Sequence, residues 1–183
     1  ISVADVNAAT AAVTAAGGKV VYAPVMLGER GETAVFKDPE GVLFGVVHSK
    51  NGDPLDYAGD LNEWYWVDLW TADVEKAATF YRAAIGYETA PVADDGPRSG
   101  VRLLSGGFAR AGIMQKNSEK SSATWLPYIR VADAKAAAAA ARAAGGKVLL
   151  DPVAMNIATV AIIADPTGAP VGIVQLPAPE ARP

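Results

Sequence analysis

The sequence has no cysteine and a single histidine. Without thiols, disulfides, zinc–thiolate sites and thiol nucleophiles are all excluded, and the compartment stays open. One histidine and no cysteine leave little material for a Ser–His–Asp or Cys–His constellation. Positive charge is also short: 16 Lys and Arg face 20 Asp and Glu, for a net charge of −4 and a pI near 5.0. Nucleic acid is therefore not an expected partner, because phosphate binding wants a basic face. Long apolar runs are missing as well, and none approaches the roughly 20 residues of a membrane span. What remains is a chain of 183 residues, 51% hydrophobic and 20% charged. That is ample for a globular core, in one large domain or one and a half small ones.

The most ordered pattern runs from Trp64 to Tyr87, WYWVDLWTADVEKAATFYRAAIGY. Trp64, Trp66, Asp68 and Trp70 alternate with Tyr65, Val67 and Leu69, which reads as a β-strand. From Asp73 the period changes. Val74, Ala77, Ala78, Tyr81, Ala84 and Ile85 fall on one face of a helix. Thr71 and Asp73 offer capping oxygens at its start, and Gly86 supplies a left-handed stop.

Residues 1–50 read as a strand tail (Ile1–Val3), a helix through Ala8, Ala9, Ala12 and Ala16, and strands at Lys19–Val25, Thr33–Phe36 and Val42–His48. Asp38-Pro39-Glu40-Gly41 places Asp, Pro and Gly where a type I turn favours them, so the last two strands form a hairpin. Residues 49–62 lose periodicity and read as a linker. The central unit continues with a strand near Glu88–Val92, a polar loop ADDGPRSG, and a hairpin of Val101–Leu104 and Ala109–Gln115 about Gly106-Gly107. A charged, Ser-rich linker KNSEKSSAT follows. The third unit, Trp125–Leu176, has an Ala-rich helix from Asp133 to Ala144, a turn at Asp165-Pro166-Thr167-Gly168, and a frayed tail PAPEARP.

The plan repeats. ISVADV (1–6) aligns with IRVADA (129–134) and AAGGKV (15–20) with AAGGKV (143–148), at one common offset. The D-P-E-G and D-P-T-G turns align one position short of it. The closing strands FGVVH (44–48), AGIMQ (111–115) and VGIVQ (171–175) agree too. Three strand–helix–three-strand units predict an α+β fold of repeated βαβββ units. The glycine pairs 17–18 and 145–146 end helices rather than precede them, so they are not phosphate loops.

A repeated βαβββ unit with a D-x-x-x-A-x-x-F-Y helix (Asp73, Ala77, Phe80, Tyr81) and D-P-x-G hairpins (Asp38, Pro39, Gly41; Asp165, Pro166, Gly168) resembles the vicinal oxygen chelate superfamily. That superfamily includes glyoxalase I, extradiol dioxygenases and bleomycin-resistance proteins. WVDLWTAD (66–73) and GIM (112–114) are similar to its double-domain members labelled antibiotic-biosynthesis or hydroxylase-like. The resemblance implies two units to a domain, paired into a curled mixed sheet around a crevice. Residues 62–178 are then a complete glyoxalase-like domain, 51–61 a linker and 179–183 a tail. Residues 1–50 are the second half of an N-terminal domain whose first half this chain does not contain. A preceding unit, a homodimer partner or the complete domain is expected to cover it. Metal-using members place a His seven positions before the helix-opening Asp and a Glu seven after the turn Asp. Here those positions are Trp66, Leu126, Gly45 and Gly172, with Gly112 equivalent in the central unit. None is a metal ligand. The expectation is no metal and no cofactor.

Six residues share the parity that lines the family crevice: Trp64, Trp66, Asp68, Leu126, Tyr128 and Arg130. Trp64 and Trp66 form an aromatic wall for a ligand or fill a closed core. Asp68 is a general base or hydrogen-bond anchor, or a carboxylate paired with Arg130. Tyr128, aligned with Asp68 by the repeat, is a phenol donor. His48 aligns with Gln115 and Gln175, at the exposed ends of closing strands, and is not catalytic. Tyr65 and Leu69, on the other parity, are core. The leading expectation is metal-free binding of an apolar or aromatic small molecule. The alternative is a lyase, isomerase or hydroxylase-like enzyme using Asp68 and Tyr128.

Overall fold

The computed structural model describes residues 1–53, 59–92, 100–116, 121–155 and 158–177. Much of the first linker and of the polar loop, part of the second linker and the tail proposed from the sequence lie outside them. The elements are α1 (Val6–Ala15), β1 (Lys19–Met26), β2 (Glu32–Lys37), β3 (Leu43–His48), β4 (Trp64–Thr71), α2 (Val74–Ile85) and β5 (Glu88–Pro91). They continue as β6 (Gly100–Ser105), β7 (Phe108–Gln115), β8 (Thr124–Arg130), α3 (Ala134–Ala143), β9 (Lys147–Met155), β10 (Ala158–Ala164) and β11 (Pro170–Gln175). This is the α+β architecture of βαβββ units that the repeat implies.

The chain divides into two compact units. One comprises Ile1–Asp56 with Asp68–Trp125, the other Tyr57–Val67 with Leu126–Pro183. Strand order follows one rule in every copy. In the first unit β3-β2-β1 form a sheet, and Ser2 bridges Val47 in parallel beside β3. The same unit holds the Asp68–Thr71 part of β4, parallel to Gly112–Gln115 of β7, followed by β6 and β5. The second unit holds β8 from Leu126 onward, with Tyr128–Arg130 parallel to Gly172–Val174 of β11, followed by β10 and β9. Each copy thus runs first strand, last, third, second.

In the first unit α1 packs against the β3-β2-β1 sheet, and its buried residues are Val6, Ala9 and Val13. Of the alanines expected to define that face, Ala9 is buried, Ala12 and Ala16 are half-buried and Ala8 is exposed. The branched side chains of Val6 and Val13, at i and i+7, fill more of the gap to the sheet than alanines can. Helix α2 starts on Asp73, whose carboxylate accepts from Lys76 N at 3.0 Å, and stops at Gly86 with φ of 83°. Its buried set is Val74, Ala77, Ala78, Phe80, Tyr81 and Ala84. Phe80 widens the expected face because residues 1–50 pack there too: Phe44 meets Phe80 edge-on, with centroids 5.9 Å apart.

The D-P-E-G turn is the joint. Asp38, 4% exposed, accepts from Glu40 N at 3.0 Å and Val42 N at 2.9 Å through Oδ1, and from the Tyr81 hydroxyl at 3.2 Å through Oδ2. Glu40 accepts from Ala72 N at 3.2 Å and from the Thr71 hydroxyl, which caps the β4–α2 junction from outside. The D-P-T-G turn has the same local bonds, with Asp165 accepting from Thr167 N at 2.8 Å and Ala169 N at 3.0 Å. There Thr167 replaces Glu40 and no tyrosine is bound. Strand β1 lies at a sheet edge with Tyr22 67% and Met26 62% exposed. Pro24 and two register breaks blunt that edge against further pairing.

Burial holds Asp38 above the usual carboxylate range, while the bonds from Val42, Tyr81 and Glu40 pull the other way. Its folded form binds a proton more readily than its unfolded form. That contribution to stability is present below the ordinary range, near pH 4, and is lost as pH rises through the folded value. Asp38→Asn is expected to flatten stability between pH 4 and pH 7, measured by urea denaturation. Asp38→Ala instead leaves two backbone N–H groups and the Tyr81 hydroxyl without that acceptor and should cost about 2–4 kcal/mol.

Candidate functional site

The faces of β4 and β8 are set by what lies beneath them. Leu69 and Thr71 are fully buried, so Trp64, Trp66, Asp68 and Trp70 lie on the face of β4 opposite to them. In β8, Ile129 pairs with Ile173, which packs with Ala138 of α3, so Leu126, Tyr128 and Arg130 lie on the opposite face. The parity read from the sequence holds in both strands. Trp64 is 65% exposed and Trp66 half-buried, whereas Leu126 and Tyr128 are buried at 3% and 5%.

In the second unit Tyr128 lies against Gly172 of β11. A Cβ at Gly172 would stand 2.2 Å from Tyr128 Cδ1 and 2.3 Å from Cε1. The phenol ring occupies the space that a side chain at position 172 would need. Arg130 ends the strand beside a turn formed by residues 59–63. Its Nη1 donates to the Gly59 carbonyl at 3.1 Å. Its backbone N donates to Glu63 O at 3.0 Å, and its carbonyl accepts from Asn62 N at 2.7 Å. Gly59 is buried, and a Cβ there would meet the Trp64 carbonyl at 2.4 Å.

In the first unit Asp68 pairs with Gly112, and Gly112 with Arg102 of β6. Leu103 is fully buried, so Arg102 shares the open face with Asp68, one strand either side of a glycine that has no side chain. The sequence reading missed Arg102 and Gly59. Arg102 is visible only when strand register is known, and Gly59 sat inside an apparent linker. His48 is exposed at the end of β3, with Nδ1 3.1 Å from Val3 O, consistent with a structural role.

The described clefts lie elsewhere in the first unit. One of about 780 Å³ is lined by Thr79, Arg82, Tyr87 and Glu88, and one of about 460 Å³ by Pro39, Asp73, Lys76 and Phe80. Both lie along α2, and neither holds a sequence-predicted site residue. Burial raises the Tyr87 phenol above its ordinary range against the opposing pull of Arg110.

The Glyoxalase-like domain profile matches residues 64–174. The chain belongs to this family. CFP32 of Mycobacterium bovis, named as a candidate glyoxylase, is 29% identical over 98% of this chain and 69% of that protein. The anthracycline biosynthesis protein DauV of a Streptomyces species is 30% identical over 94% of this chain and 62% of its own length. The chain thus spans about two thirds of either relative. Among solved structures, the Mn(II)-bound glyoxalase of Novosphingobium aromaticivorans aligns with a TM-score of 0.60 at 18% identity, over 93% of this chain and 58% of that one. The fold is that of the vicinal oxygen chelate superfamily.

The superfamily implies a metal, and the residues present do not fit one. The corresponding positions are Trp66, Leu126, Gly45, Gly112 and Gly172, which carry no donor side chain. At Gly172 the Tyr128 ring also removes the room for one. Among the described residues no group of three His, Cys, Asp or Glu could hold a metal ion.

Gly172→Ala is expected to lower stability by about 1–3 kcal/mol, since the new methyl must displace the Tyr128 ring. Combined with Tyr128→Ala the two should be non-additive, with a coupling of at least about 1 kcal/mol in a denaturation double-mutant cycle. Additive losses would show that the ring does not fill that space.

Proposed function

We propose that the chain is a small-molecule-binding protein that works without a metal and holds an apolar or aromatic ligand against Trp66, Leu126 and Tyr128. The observation that carries this reading is the exchange at β11. Where metal-using members need a carboxylate, this chain has Gly172, with an aromatic ring laid over it. An apolar lining with few polar groups is the usual make-up of a small-molecule site. Half-buried Trp66 and buried Leu126 extend that surface. The relationship to an anthracycline biosynthesis protein favours a planar, fused-ring aromatic as the ligand class.

The test is tryptophan fluorescence during titration with anthraquinone-2-carboxamide, a neutral fused-ring probe. Saturable quenching is expected, and Trp66→Ala should weaken it at least about tenfold, some 1.4 kcal/mol. Elemental analysis of protein purified without chelator should find no stoichiometric transition metal. A metal retained through dialysis, or an affinity indifferent to Trp66→Ala, would overturn the proposal.

A further inference from the structure

One charged group on the same strand face has no role in an apolar site. Arg130 follows Tyr128 by two positions and so shares its side of β8. The strand end is tied down by two backbone hydrogen bonds to the 59–63 turn, and Nη1 is fixed by the Gly59 carbonyl. That turn cannot shift freely, because Gly59 lies against the Trp64 carbonyl. Nε is buried and meets no acceptor among the described residues. A buried donor on a permanently charged group is costly to leave unmatched. Nε and Nη2 lie on one edge of the planar guanidinium, the edge that grips a carboxylate through two parallel N–H···O bonds. Nη1, the nitrogen outside that edge, is the one the fold has used.

We infer that Arg130 anchors an anionic group of the ligand, a carboxylate, while the ligand's apolar body rests on Leu126, Tyr128 and Trp66. The inference rests on the ligand-binding reading above and adds a chemical class to it: an aromatic acid rather than a neutral aromatic. The arginine is preorganised for that task. Its entropy is already spent on the Gly59 bond, so less is lost when the anion arrives.

The test compares anthraquinone-2-carboxylate with anthraquinone-2-carboxamide on the full chain at pH 7 and low salt, by tryptophan quenching. The carboxylate is expected to bind at least about tenfold more tightly, the scale of a charge-assisted bidentate pair. Arg130→Gln should collapse that preference to within about twofold. Arg130→Lys should restore only part of it, because an ammonium is a point charge without the two-donor edge. Equal affinities in the unaltered chain, as expected if a water satisfies Nε, would overturn the anchor while leaving the ligand face standing. A preference that survives Arg130→Gln in a variant with unchanged circular dichroism would overturn it as well. Should neither compound quench saturably, the anchor and the ligand face fall together.

Discussion

The first unit depends on where Tyr81 sits. Its hydroxyl donates to Asp38 at 3.2 Å and accepts from Trp125 Nε1 at 3.3 Å. Its ring packs edge-on against Phe44, Phe80 and Trp125, with centroids 5.4, 4.9 and 5.4 Å away. One side chain therefore joins the D-P-E-G turn, helix α2 and the start of β8, segments far apart in sequence. Burial, reinforced by the neighbouring Asp38 carboxylate, pushes the phenol above its ordinary range, so it stays a donor wherever the protein is folded. Such a buried pair demands a complete set of partners, because any one left unmatched costs the desolvation of the rest. The turn, the helix and the strand start must be in place together. The direction of β4 follows, since Glu40 of the same turn closes the β4–α2 junction.

Much of this was legible in the chain itself. The alternation at Trp64–Trp70, the period change at Asp73 and the stop at Gly86 locate β4 and α2 to within a residue or two. Each signal there is local: a cap, a period, a left-handed glycine. Parity was legible for the same reason: Leu69 is buried on one face of β4 with Trp66 and Asp68 on the other, and in β8 Ile129 lies opposite to Leu126 and Tyr128. What escaped was decided between segments. Phe80 was legible as a motif position, but its burial against Phe44 follows from how residues 1–50 pack. In α1 the alanines outnumber the valines, yet Val6 and Val13 are fully buried and only Ala9 of the alanines joins them, because depth of packing, not count, decides the core face. Arg102 needed the β6–β7–β4 register, and Gly59, which accepts from Arg130 Nη1, lay in a segment whose composition reads only as linker.

The two D-P-x-G turns show how far a repeat can agree in backbone and differ in chemistry. Both Asp residues bind the same pair of turn amides. Asp165 is fully exposed, and the bonds from Thr167 and Ala169 hold it below the usual carboxylate range. Asp38 is buried, and desolvation outweighs the same bonds and shifts it the other way. The motif dictates the turn, while the surroundings dictate the electrostatics. A family motif therefore licenses the hairpin in both copies and says nothing about the titration of either.

The same logic governs the candidate site. The closing strands carry glycine at one equivalent position in every copy: Gly45, Gly112 and Gly172. A glycine in mid-strand gives up packing and costs backbone entropy, so it tends to mark a place where something else comes close. In the second unit that something is the Tyr128 ring, which leaves no room for a Cβ at Gly172. In the first unit Gly112 is buried, and the first strand and the third present Asp68 and Arg102 on either side of it. The side chains that flank these glycines come from the neighbouring strands. A carboxylate placed at Gly172 alone would collide with the Tyr128 ring. A side chain at that position would require changes on β8 and β11 together. Paired constraints of that kind are difficult to cross one substitution at a time, because either change alone leaves a clash or a cavity.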